Sequence, residues 1–79
     1  MRVTVICYGA MREYLPPAAS DNKTVLEVAE GATVADVVAA LGAPEKLLHS
    51  ILVNGDRADL GKGLSEGEEV TLMPPFAGG

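Results

Sequence analysis

One capped, apolar-striped segment between Thr33 and Gly42 constrains this chain most, because it is the one long helix among stretches that read mainly as strands. Val34, Val37, Val38 and Leu41 recur at i, i+3, i+4 and i+7, which lines them up along one side of a helix. Thr33-Val34-Ala35-Asp36 resembles a capping box with Asp in the place of the usual Glu, and Gly42 suits the position just past the helix end. A helix with a single apolar stripe has to bury it, and the flanking strands supply a sheet to bury it against.

Val3 to Tyr8 is rich in β-branched and aromatic residues and predicts a first strand, with Val3, Val5 and Cys7 on one face and Thr4, Ile6 and Tyr8 on the other. Gly9 ends it, Ala10 to Leu15 reads as a short helical turn, and Pro17 to Asn22 as a polar loop. Thr24 to Ala29 predicts a second strand antiparallel to the first. After the helix, Pro44 opens a short helical segment through Leu48, and Ile51-Leu52-Val53 is a third strand closed by the hairpin signal Asn54-Gly55. Arg57 to Leu60 returns as a short strand, and Glu69 to Met73 is the last. With the helix between hairpins, the order β-β-α-β-β is best satisfied when the terminal strands lie side by side in the middle of the sheet. The expected class is α+β: a β-grasp, or ubiquitin-like, roll with a mixed sheet packed on one helix. Residues 1–73 form the domain, and 74–79 an extended, flexible tail.

Composition narrows the functional classes. At 79 residues, 48% hydrophobic and 22% charged, the chain reads as one globular domain. Its net charge of −5 opposes binding to nucleic acid, where clustered Lys and Arg are needed. The same acidity favours docking on a basic protein surface, or simply aids solubility. No run is long enough to span a bilayer, and Cys7 is the sole cysteine, so a soluble, cytoplasmic protein is expected. Cys7 reads as a small buried hydrophobe, and His49 lacks a Cys or His at ligand spacing, so no metal site is expected. Gly61-Lys62-Gly63 lacks the spacing of a phosphate-binding loop, and no acid, base or nucleophile set stands out.

The chain finishes Met73-Pro74-Pro75-Phe76-Ala77-Gly78-Gly79. The prolines fix φ and remove two donors, which favours an extended path. Glycine passes through channels too narrow for other residues. Six extended residues from Pro74 reach roughly 20 Å, enough to carry a carboxyl group into another protein's active site. Ile6, Tyr8 and Met73, with Phe76, are expected to form an apolar partner-binding patch beside the tail root, in line with the enrichment of aromatic and Met side chains at interfaces.

Three stretches together resemble the MoaD/ThiS sulfur-carrier family, most closely the small subunits of molybdopterin synthase. Met11-Arg12-Glu13-Tyr14-Leu15 is similar to the family's Arg-Glu signature after strand one. Leu64-Ser65-Glu66-Gly67-Glu68-Glu69-Val70 resembles its acidic loop into the last strand, and Pro74-Pro75-Phe76-Ala77-Gly78-Gly79 resembles its Pro-Pro-x-x-Gly-Gly ending. Two departures are the added segment Pro16 to Lys23 and the single Phe. The resemblance implies that Gly79 is adenylylated by an E1-like adenylyltransferase using ATP and converted to a thiocarboxylate by a sulfur-donating persulfide enzyme. Gly78, Ala77, Phe76, Pro75 and Pro74 would enter the large subunit of molybdopterin synthase, where the sulfur passes to a pyranopterin precursor. On this reading the chain is a carrier subunit with no stably bound cofactor and no catalytic side chain of its own. Alternatives that keep the tail are a carrier serving thiazole, tRNA, cysteine or tungsten-cofactor routes, and a ubiquitin-like modifier joined to lysines. A plain interaction module would leave the Gly-Gly end incidental.

Overall fold

Strand alternation and one helix stripe meet as expected in the computed structural model, which describes residues 1–75. The elements are β1 (Arg2–Cys7), β2 (Lys23–Glu27), α1 (Val34–Leu41), β3 (Ser50–Val53), β4 (Asp56–Ala58) and β5 (Glu69–Met73). Short 3-10 turns cover Gly9–Tyr14 and Glu45–Leu47. The five strands form one sheet in the order β2-β1-β5-β3-β4. The first and last strands are parallel neighbours at its centre, with Val5 opposite Val70 and Cys7 opposite Leu72. The other pairings are antiparallel. This is the mixed sheet on one helix of a ubiquitin-like β-grasp. The return strand is Asp56–Ala58 rather than the expected 57–60.

The helix begins where its capping box places it. The Asp36 N–H donates to Thr33 Oγ1 at 3.4 Å, and the Thr33 N–H donates back to Asp36 Oδ2 at 2.8 Å. Two of the first turn's orphan donors are thereby satisfied, so the shorter Asp serves where Glu is usual. Gly42 closes the helix in the left-handed region at φ 75. Val34, Val37 and Val38 are fully buried against Val3, Val5, Cys7, Val70 and Leu72, while Leu41 is half-buried at the margin. Each such side chain removed from water stabilises the fold by about 1.5–3 kcal/mol. Met11, from the 3-10 turn, and Leu64, from the loop before β5, close the ends of this core.

The face of the sheet turned away from α1 carries, in register across all five strands, Lys23, Ile6, Thr71, Leu52 and Arg57. Ile6 and Thr71 occupy the two central strands of that row and are only 6% and 9% exposed. At the ends of the sheet, hairpin geometry dominates. Asn54 and Gly55 both have positive φ, 52 and 85, as a two-residue turn between β3 and β4 requires.

Candidate functional site

The last strand is held at both flanks up to its final residue. The Tyr8 N–H donates to the Leu72 carbonyl at 3.1 Å, and the His49 N–H to the Met73 carbonyl at 2.8 Å. Pro74 has no N–H to continue the ladder, so the chain leaves the sheet there. Pro74 is half-buried and Pro75 exposed.

Around this exit lies an apolar groove of about 700 Å³. One wall is Tyr8, Gly9 and Ala10, where β1 turns into the first 3-10 segment. The opposite wall is Leu47, His49 and Ser50, where the second 3-10 segment enters β3. Met73, Pro74 and Pro75 run between them. Of the expected partner-binding patch, Tyr8 and Met73 are brought together here, and Tyr8 is 46% exposed. Ile6 does not line the groove. Alternation places it on the expected face, but its central strand gives it an in-register neighbour on each side, Lys23 and Thr71, and it is buried. Tyr8 lies beyond the end of β1 and escapes that enclosure. Of the expected tail residues, Pro74 and Pro75 stand at the mouth of the groove, whereas Phe76, Ala77, Gly78 and Gly79 lie outside the described residues.

The wall formed by Leu47, His49 and Ser50 was not expected. Its signal was available in the pairing of β3 with β5, which sets Ser50 opposite Met73 and so carries the preceding residues alongside the exit.

The remaining reactive candidates have structural occupations. Cys7 is fully buried, and burial pushes its thiol up from 9.0 to about 11. It therefore stays protonated at neutral pH, and the thiolate is the nucleophilic form. Arg12 donates through Nε to the Gly9 carbonyl at 3.3 Å. In the acidic loop, Glu66 accepts from the Arg2 N–H at 3.1 Å. Glu68 takes the Ser65 N–H at 2.7 Å and the Asn54 side-chain amide at 2.9 Å. His49 is exposed. No cluster of three metal-ligating side chains exists among the described residues, nor a helix long and apolar enough to cross a membrane. What the site offers is an apolar seat from which the chain departs.

The family model described as Mut7-C ubiquitin matches residues 1–78. Among solved structures, SAMP1 of Haloferax volcanii, a small archaeal modifier protein, is 26% identical, with the whole of both chains covered and a TM-score of 0.76. A chain from the complex of subunits 1 and 2 of the molybdopterin-converting factor of Helicobacter pylori is 22% identical over the whole of both chains, at a TM-score of 0.63. A ubiquitin of Caldiarchaeum subterraneum is 18% identical, covering all of this chain and 98% of its own, at a TM-score of 0.59. No curated protein matches the chain. The kinship expected from the three motifs, a ubiquitin-like roll of MoaD/ThiS type, holds at the level of fold.

Proposed function

Since the chain belongs to the Mut7-C ubiquitin family, we propose that it is a ubiquitin-like sulfur carrier whose reactive group is the carboxyl of Gly79. A carboxylate is an anion at neutral pH and a poor electrophile. The carrier chemistry begins when it attacks ATP on an E1-like adenylyltransferase, giving an acyl-adenylate and pyrophosphate. The terminal sulfur of a persulfide enzyme then attacks the acyl carbon and expels AMP, giving an acyl disulfide. A second thiol of that enzyme cleaves the S–S bond, leaving a thiocarboxylate and an enzyme disulfide. In the large subunit of molybdopterin synthase that sulfur passes to a pyranopterin precursor, and water regenerates the carboxylate.

The observation that supports this reading is the exit itself. The central strand ends in Pro74-Pro75 at the rim of an apolar groove, and the sequence goes on as Phe76-Ala77-Gly78-Gly79. A partner seated on Tyr8, Leu47 and Met73 would meet Pro74 and Pro75 where they lead the chain out of the sheet. Cys7 is buried with its thiol held protonated, and it does not line the groove. Positioning is then the chain's contribution, and the partner's pocket does the rest.

The chemistry requires Gly79 to end the working protein, which an intact mass of material from its own host measures directly. Replacement of one terminal oxygen by sulfur is expected. Deleting Gly79 should leave the thermal transition unchanged and abolish sulfur transfer; equal transfer by the truncated protein would overturn the reading. A second reading, a modifier joined through Gly79 to lysines, is favoured by the 26% identity to SAMP1 along the full length. An isopeptide on a cellular protein would support it, whereas co-purification of a large subunit supports molybdopterin synthase.

A further inference from the structure

Gly9 stands where β1 breaks, at φ +55, and a Cβ built on it would lie 2.9 Å from Pro74 Cγ and 3.5 Å from Pro74 Cδ. The first distance is closer than side-chain carbons approach one another, so the proline ring occupies the space that a side chain at position 9 would need. Pro74 is a poor candidate for moving aside. Its ring is closed back onto the backbone and can only change pucker, and the residue before it is tied by the bond from His49 to the Met73 carbonyl. The peptide under the ring is tied as well: Tyr8 donates to Leu72, and the Gly9 carbonyl accepts from Arg12. Two fixed segments thus meet across the missing side chain of one glycine.

We propose that Gly9 is a positioning residue: the absence of its side chain is the seat that lets Pro74 lie flat at the end of β5 and sets the direction in which the chain leaves Pro75. The inference rests on the carrier reading above, because direction matters only if the tail is delivered into a partner. A side chain at position 9 would lift the proline ring and swing the exit away from the groove. A small angular error at the root grows along the roughly 20 Å reach of six extended residues, and misplacing a reacting group by about 1 Å can cost a factor of about 10² in rate.

The test compares Gly9→Ala with Gly31→Ala. Gly31 also has positive φ, +82, but nothing lies within 4 Å of its would-be Cβ, so it reports the backbone penalty alone. The probe is ATP–pyrophosphate exchange by the host's E1-like adenylyltransferase with the full chain. Gly9→Ala is expected to lower kcat by about 10-fold or more with a smaller change in KM, and Gly31→Ala to leave both unchanged. The double variant Gly9→Ala/Pro74→Ala, which removes the ring from the contact, should recover most of the loss. Unchanged exchange in Gly9→Ala, or no recovery in the double variant, would overturn the proposal. A second readout is independent of the carrier chemistry: nuclear Overhauser contacts between the Gly9 α-protons and the Pro74 ring should be present in the wild type and lost in Gly9→Ala. Their absence from the wild type would remove the seat. Contacts present without any exchange would instead bring down the carrier reading.

Discussion

The two ends of β5 are built from opposite materials. At its start, Glu69, the strand is bolted by polar groups: Asn54 Oδ1 accepts the Glu69 N–H at 2.9 Å while the Asn54 amide donates to Glu68 at 2.9 Å. Ser65 and Arg2 add backbone donors to Glu68 and Glu66. At its finish, Met73, the strand lies between apolar walls, and Tyr8 remains nearly half exposed. The first end spends its hydrogen-bonding capacity inside the molecule. The second keeps apolar surface open to solvent, and an open apolar groove beside a departing chain has free energy left to gain from a partner. Closure at one end and openness at the other would suit the proposed carrier role: a fixed origin for the strand and an unfinished surface at its exit.

The largest effect expected on this contrast concerns Cys7, the last residue of β1 before the open end. Its folded-state thiol titrates near 11 and its unfolded one near 9.0. A group whose pKa is raised on folding contributes its full stability below the unfolded value and loses it as pH climbs through the folded one. Stability should therefore fall by about 2–3 kcal/mol between pH 9 and pH 11, measured by urea unfolding against Cys7→Ala, which lacks the titration. Parallel pH profiles for the two proteins would show that the core is already open to water at this point.

Next is Tyr8→Ala at the open end. A tyrosine half exposed in the free protein and covered in a complex contributes of the order of 2 kcal/mol, or about 30-fold in Kd. The expected outcome is weaker binding of the adenylyltransferase by titration calorimetry with a thermal transition little changed. An equal loss of stability would mean that the groove is part of the core and the contrast is false.

Much of this arrangement was readable from the chain, for local reasons. Thr33, Asp36 and Gly42 announce a helix through bonds made within a few residues, and Asn54-Gly55 announces its turn through φ alone. Alternation placed Val3, Val5 and Cys7 on the helix side correctly. It could assign Ile6 a face but not an exposure, because burial there comes from β2 and β5 neighbours far away in sequence. The groove failed to show for the same reason. Leu47 and His49 reach it only through the β3–β5 register, and Gly9 meets Pro74 only once β1 and β5 lie side by side. Position 9 looked like a strand breaker in sequence, and its close approach to the tail is a fact of packing.

The smallest effect tests the closed end. Asn54 uses both halves of its amide, one accepting from the Glu69 N–H and one donating to the Glu68 carboxylate. Asn54→Asp keeps the acceptor and tolerates the positive φ of 52, but it loses the donor and sets a carboxylate against Glu68. Because the site is exposed, the loss of one charge-assisted bond and the added repulsion should cost about 1 kcal/mol, a fall of about 4–8 °C in the thermal transition for a domain this size. Affinity for the adenylyltransferase should be unchanged, because the clamp and the groove sit at opposite ends of one strand. If Asn54→Asp weakened that binding as much as Tyr8→Ala does, the two ends would be acting as one surface, and the division between a bolted start and an open finish would have to be abandoned.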